Sequence, residues 1–561
     1  MSAAAQPASG PIGPTTALTH RQIVTILIGL MTGMFLAALD QTIVATAVRT
    51  IADDLQGLQH QAWVTTAYLI TSTIVTPIYG KLGDIYGRKR LFTTAITIFL
   101  IGSVLCAFAT SMETLAVYRA VQGLGAGGLF SLSLAIIGDI VPPRERAKYQ
   151  GYFLAVFGTS SVLGPVIGGF FAGQDSLLGI TGWRWVFLVN VPIGIVALLV
   201  VRRTLHLRHQ RLDHRIDWAG AVLLSLSLVP LLLVLEQGRV WGWDSPRSIT
   251  AFVVGILAGL GFLWQEWRMG EEAILPLMMF RNKTVGVASV ASVLIGIAMF
   301  GGLASIPLYL QIVKGATPTE AGLLLLPMTL GIMFGSVFSG QLISRTGRYR
   351  HFPIIGGALL TLSLLAFSRV AFDTPLWQSM VVMVFFGIGL GFNFQPLTLA
   401  VQNAVPPQQI GVATSTATFT RQIGGTIGTA VFLSLLFGRL PDTIAAATDR
   451  LSGTPEFQAA LRDPANAEFA AQLARAEASG SNAAVSSGIL EDSSFLTDLD
   501  ERLARPFLIG FSEAMDLVFL VGAGVMLIGF LVLLLLPHVE LRKGSAYSER
   551  DAAVASTPGD S

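Results

Sequence analysis

Residues 39–51 read Leu39-Asp40-Gln41-Thr42-Ile43-Val44-Ala45-Thr46-Ala47-Val48-Arg49-Thr50-Ile51, within and at the end of a long apolar run that opens near Ile23. Asp40 falls about three residues past the middle of that run, which at about 1.5 Å per helical residue is within ~5 Å of a bilayer midplane. A carboxylate there costs roughly 2.5–3.5 kcal/mol even on the lenient insertion scale, so it faces protein or water rather than lipid. Low dielectric favours its neutral form, which makes it able to bind and release a proton at ordinary pH. Asp40 is therefore read as the coupling group of a proton-driven transporter. The plainer alternative is an acid that merely pairs with a neighbouring helix.

Composition supports a membrane setting. Of 561 residues, 52% are hydrophobic and 12% charged, where soluble domains average about 25% charged; the mean hydropathy is +0.66. A net charge of +2 is too small to suggest nucleic-acid binding. The single cysteine, Cys106, lies in an apolar run, so neither an intramolecular disulfide nor a thiol metal cluster is expected. The first 20 residues are polar and lack a basic start with a cleavage site, so no cleaved signal peptide is expected.

Apolar runs of about 20 residues fall near 22–48, 62–81, 91–110, 113–138, 150–172, 184–202, 217–236, 248–267, 284–312, 319–344, 352–371, 376–401, 411–438 and 514–537. The expected fold is an all-α polytopic membrane protein with fourteen spans. Basic residues set its orientation: Arg88/Lys89/Arg90, Arg144/Arg146/Lys148, Arg202/Arg203/Arg208/Arg211/Arg215, Arg268/Arg281/Lys283 and Arg345/Arg348/Arg350 follow the even-numbered spans. The other loops carry only scattered Lys and Arg. The basic set is then cytoplasmic and both termini are inside.

An internal repeat divides the chain. Gly80-Lys-Leu-Gly-Asp84-Ile-Tyr-Gly87-Arg88-Lys-Arg90 returns as Gly340-Gln-Leu-Ile-Ser344-Arg-Thr-Gly347-Arg348-Tyr-Arg350, offset by 260. Gly123, Gly125 and Gly127 match Gly387, Gly389 and Gly391, and Pro142-Pro143 matches Pro406-Pro407, both offset by 264. Spans 2, 4 and 5 thus align with 10, 12 and 13. The expected layout is a cytoplasmic tail over 1–20, a six-helix half over 21–203, and a linker with two inserted helices over 204–283. A second half follows over 284–540, including an outer loop at 439–506, then a cytoplasmic tail over 541–561. The outer loop is Ala-rich, acidic and without lysine, and reads as a partly helical appendage. Two related halves around a central site is the layout of alternating-access carriers.

These residues resemble the major facilitator superfamily, in its fourteen-span drug:H+ antiporter branch. Leu39–Val44 is similar to the span 1 motif of that branch, although Val48-Arg49 stands where a Leu-Pro pair is usual. Gly80–Arg90 resembles the superfamily's loop 2–3 signature and Arg119-Ala-Val-Gln122-Gly123 the span 4 motif. Gly158, Gly164, Pro165, Gly168 and Gly169 resemble the span 5 antiporter motif, and Trp183-Arg184-Trp185-Val186-Phe187-x2-Asn190-x-Pro192 the start of span 6. The resemblance implies proton coupling through Asp40 and Arg119, and gating by Gly80, Asp84, Gly87 and Arg88.

Each role has a plainer counterpart. Arg119 is a second buried charge for which Asp40 is the natural partner, or it bonds to helix carbonyls. Asp84 and Arg88 can pair across the halves; Ser344 in the second copy makes that latch asymmetric. The span 5 glycines either mark the antiporter element or form a packing seam around the kink at Pro165. Gly123-x-Gly125-x-x-Gly128 mimics a dinucleotide fingerprint, but it sits in an apolar helix with no βαβ unit around it. No phosphate-binding Gly-x4-Gly-Lys-Ser/Thr loop occurs, so proton-motive force rather than ATP is the expected energy source, with no cofactor and no metal.

The expected substrate cavity lies between the halves, lined by Asp40, Tyr68, Gln122, Phe157, Asn393, Gln395, Phe419 and Arg421. Arg421 is read as lining it or pairing with Asn393 or Gln395. One acid among apolar and aromatic walls suits a small lipophilic solute, neutral or monocationic, such as a drug. The expected partners are that solute, protons and the lipid bilayer, with no nucleic acid, the chain acting as a monomer in a bacterial cytoplasmic membrane. A lipid or glycolipid exporter of the same fold, or a non-transporting membrane sensor or scaffold, remain the competing readings. No nucleophile–base pair is present, so an enzyme is not expected.

Overall fold

A computed structural model describes residues 20–56, 61–205, 216–316, 318–466, 469–471 and 499–542. Its principal helices are α1 (His20–Asp54), α2 (Gln61–Tyr86), α3 (Arg88–Ala107), α4 (Met112–Ile140), α5 (Pro143–Ala172), α6 (Asn190–Thr204), α7 (Trp218–Trp241), α8 (Pro246–Met269), α9 (Lys283–Leu308), α10 (Leu326–Thr346), α11 (His351–Phe367), α12 (Leu376–Asn403), α13 (Ile410–Ser452) and α14 (Glu501–Leu534). Strand structure among the described residues is limited to a two-residue ladder, Ser176–Leu177 with Ile180–Thr181. Local chemistry sets the helix starts. Gly87, at φ 93°, separates α2 from α3, and Ser111 accepts the Thr114 N–H to cap α4. Pro143 opens α5, while Asp217, Ser245 and Asn282 cap α7, α8 and α9.

Each expected apolar run overlaps one of these helices, but 184–202 begins on a short helix, Trp185–Leu188, ahead of α6, and 319–344 is divided between Pro318–Leu324 and α10. Eleven segments among the described residues are long and apolar enough to cross a membrane; the principal helices outside that set are α2, α5 and α11. The apolar segment of α1 is Arg21–Val48, which puts Asp40 about 8 Å from its centre at ~1.5 Å per residue, farther than its sequence setting suggests.

The outer segment departs from expectation at both ends. Helix α13 continues past residue 438 to Ser452, and α14 begins at Glu501 rather than near 514. The two extensions pair: a Cβ on Gly510 would meet Ile444, and Arg450 bridges Glu513 at 2.7 Å. A short helix, Pro455–Leu461, packs Phe457 and Ala460 onto Leu503. The rest of the expected appendage, 467–468 and 472–498, lies outside the described residues, as do 1–19 and 543–561 of the tails and residues 206–215, which hold Arg208, Arg211 and Arg215.

Glycines make the repeat physical. Gly123 and Gly127 press α4 onto the α2 backbone at Tyr68 and Ser72, and Gly125 presses it onto α3 at Phe99. Their counterparts behave alike: Gly387 and Gly391 meet α10 at Met328 and Ile332, and Gly389 meets α11 at Gly356. Likewise Gly164 and Gly168 seat α5 on α1, while Gly424 and Gly428 seat α13 on α9, an offset of 260. Helices that are apolar all round need such small-residue seams, because hydrophobicity alone does not choose their contact faces. The inserted helix α7 lies over the joint of α2 and α13, with Leu224, Leu228 and Leu232 packed on Ile70, Ile74 and Phe419.

Candidate functional site

Asp40 is fully buried, as are Tyr68, Gln122 and Asn190, and Arg119 is 1% exposed. The α1–α5 seam fixes the rotation of α1: the Thr42 hydroxyl donates to Ser160 O (3.0 Å) while Gly164 and Gly168 close on Thr42 and Thr46. That rotation turns Asp40 inward, toward α3, α4 and α6. Its Oδ2 accepts from Arg119 Nη1 at 2.5 Å, and Oδ1 accepts from Gln122 Nε2 at 2.9 Å and Asn190 Nδ2 at 2.8 Å.

The surrounding groups hold these donors in place. Arg119 also donates to Gln122 Oε1 (2.6 Å) and, through Nε, to Val64 O (3.3 Å), and its guanidinium lies over the Tyr68 ring at 4.2 Å. Ser103 Oγ accepts from Gln122 and Asn190 and donates to Phe187 O. The Cys106 Sγ lies 3.7 Å from Gln122 Oε1. Both oxygens of the carboxylate are thus engaged, by three donors of which one is cationic. Sequence reasoning paired Asp40 with Arg119 but missed Ser103 and Asn190. Asn190 stands in the span 6 motif and was the available signal; Ser103 carried none.

The residues expected around a cavity are dispersed in this structure. Asp40, Tyr68 and Gln122 are fully buried and bonded within the first six helices. Asn393 is fully buried and donates to Gly389 O of its own helix at 2.8 Å, against Gly356 of α11. Phe419 belongs to the apolar joint with α7. Gln395 is buried, and the Phe157 side chain lies outside the described residues. Arg421 does not pair with Asn393 or Gln395; its guanidinium lies 3.7 Å from the centre of the Phe394 ring.

The residues expected to form a gate come together at the end of the bundle that bears the basic loops. Arg88 joins Asp84 (2.5 Å) and Asp139 of α4 (2.8 Å), so it pairs with its own half rather than across. The crossing is made by Asp84 Oδ2, which accepts the Val412 N–H of α13 at 3.0 Å. Gly80 permits it: a Cβ there would run into Ser415 and Gly411. Gln402 of α12 adds a second crossing, accepting from Arg146 (3.3 Å) and donating to Leu134 O (3.2 Å). Ser344, in the second copy, bonds only within α10, to Gln341 O. Asp139 and Gln402 were missed.

The span 5 motif divides by face. Gly164 and Gly168 meet α1, Gly158 meets Thr329 of α10, Pro165 nears Gly322, and Gly169 has open space around it. Helix α5 therefore touches both the helix that carries Asp40 and one from the second repeat. Asp139 and Glu266 are buried in the last turns of α4 and α8, and Asp516 of α14 has a buried oxygen without a hydrogen-bond partner among the described residues.

Comparison with known proteins agrees with this architecture. The sequence profile described as Major Facilitator Superfamily matches residues 30–429. Multidrug resistance protein 3 of Bacillus subtilis is 37% identical over 419 residues, 74% of this chain and 80% of its own length. An uncharacterised MFS-type transporter of Mycobacterium tuberculosis is 34% identical over 548 residues, 95% of this chain and 74% of its own. Among solved structures, the proton:xylose symporter XylE shares the fold, with TM-score 0.59 at 15% identity over 95% of this chain and 99% of that one.

Proposed function

Since the chain belongs to the Major Facilitator Superfamily and is a multi-pass membrane transporter rather than an enzyme, we propose that it is a proton-coupled antiporter that exports small lipophilic compounds by alternating access. All fourteen principal helices cross the bacterial cytoplasmic membrane in this reading, as two six-helix halves with α7 and α8 inserted between them. Both termini are cytoplasmic. The chain works as a monomer without a cofactor.

The observation that carries the reading is the sealed Asp40–Arg119 pair on a helix whose neighbour, α5, also contacts α10. Protonation of Asp40 from the outer side removes one charge of the pair and frees Arg119 to rely on Gln122 and Val64 O. Helix α1 then loses its anchor to α4 and α6, and α5 carries the movement to α10. Opening of the Asp84–Val412 and Gln402 crossings exposes the cytoplasmic side, where Asp40 gives up its proton and solute is taken. One charge crossing 100 mV supplies about 2.3 kcal/mol, roughly a fiftyfold solute gradient. Relatives named as multidrug transporters support drugs as cargo.

The test is Asp40→Asn in proteoliposomes. Substrate-stimulated proton release disappears while the purified variant remains monodisperse; release that persists would sink the assignment.

A further inference from the structure

Arg421 has no part in the coupling network, yet it is 7% exposed and about 16 Å along α13 at ~1.5 Å per residue, near the middle of a bilayer ~30 Å thick. No acidic side chain or hydrogen-bond acceptor partners its guanidinium among the described residues. Its one strong contact is the Phe394 ring, 3.7 Å away. An isolated guanidinium at this depth is costly, and a ring face offsets only part of that cost. Stacking uses the flat face of the group; the N–H donors point outward around its edge and stay unspent. One turn further along α13, Phe300 packs on Gly425, and both Phe394 and Phe300 are half-buried. The site is a cationic fork lying on one aromatic ring, with a second ring packed one helical turn along.

We infer that Arg421 recognises the acidic group of the exported solute, so that the preferred cargo is a lipophilic organic acid whose carboxylate or sulfonate meets the guanidinium edge while its apolar body rests on Phe394 and Phe300. This rests on the exporter reading above and reverses the charge preference drawn from Asp40. That carboxylate is neutralised by Arg119 and sealed away from any solute, whereas the Arg421 charge is unmatched. A planar acid is the ligand that this fork holds with two parallel hydrogen bonds.

The full chain in phosphatidylcholine nanodiscs is titrated with 7-diethylaminocoumarin-3-carboxylate and with its primary amide, probes alike in size and differing in charge, and read by fluorescence anisotropy. The wild type binds the carboxylate roughly tenfold or more tightly than the amide. Arg421→Gln abolishes that ratio, and Arg421→Lys keeps part of it because charge survives without the fork. Asp40→Asn leaves the ratio intact while ending proton-driven transport, so a failure of coupling is distinguishable from a failure of this site. Equal binding of the two probes, binding of neither, or an unchanged ratio in a folded Arg421→Gln protein overturns the inference. Displacement of the carboxylate by phosphatidylglycerol would transfer the site to a lipid headgroup and overturn it as well.

Discussion

The Asp40 carboxylate and the Arg119 guanidinium meet at 2.5 Å in a place where neither side chain is more than 1% exposed. Water does not reach the pair in this conformation, whose basic end is closed by Asp84 and Gln402. In the proposed antiport, coupling at Asp40 therefore requires a second conformation.

Removing one member of the pair leaves a buried, uncompensated charge. Arg119→Leu is expected to destabilise the protein by roughly 3–5 kcal/mol, because the carboxylate loses its counter-charge. Adding Asp40→Asn should recover much of that loss, since an amide needs no cation. Thermal unfolding in detergent of the single and double variants measures the coupling; simple additivity would contradict it.

Asn190 donates to Asp40 Oδ1, so its loss is expected to act on the carboxylate rather than on solute binding. Asn190→Leu removes one of three donors to Asp40, a change on the order of 1–2 kcal/mol. The expected result is a roughly tenfold fall in transport driven by a pH gradient, with the solute KM little changed. A large rise in KM at constant turnover would instead place Asn190 in the solute site.

Two glycines of one motif make opposite forecasts. A methyl on Gly164 runs into Thr42, whereas a Cβ on Gly169 meets nothing within 4 Å. Gly164→Ala should pry α5 from α1 and abolish transport; Gly169→Ala should leave rate and melting temperature close to those of the parent. Equal effects at both positions would show that the α1–α5 seam is not what the motif serves.

Cys106, the sole cysteine, is fully buried beside Gln122, and it reports on whether water reaches the pair. Asp84→Asn weakens both the bond to Val412 and the pairing with Arg88, biasing the equilibrium away from the closed latch. Methanethiosulfonate labelling of Cys106 should then be slow in the wild type and several-fold faster in the variant. Identical rates would mean that opening the latch does not hydrate the coupling site.

Much of this was legible in the chain. Hydropathy located the helices, the charge asymmetry of the loops predicted their orientation, and repeated glycines with a repeated Pro-Pro pair aligned α2, α4 and α5 with α10, α12 and α13. The pairing of Asp40 with Arg119 was also foreseeable, because two opposite charges at membrane depth have few other ways to be satisfied. Gly80 and Asp84 likewise marked where the two repeats touch.

The direction in which Asp40 points was decided only in three dimensions. Helix α1 is apolar around most of its circumference, so periodicity selects no face, and a carboxylate at a given depth is equally compatible with the centre of the molecule or the interior of one half. Packing chose: Thr42 and Thr46 fit against Gly164 and Gly168, and that contact turns Asp40 toward Arg119, Gln122 and Asn190 and away from any solute. The same logic left Arg421 on the Phe394 ring with no counter-ion among the described residues, since a sequence states which charges exist but not which of them meet.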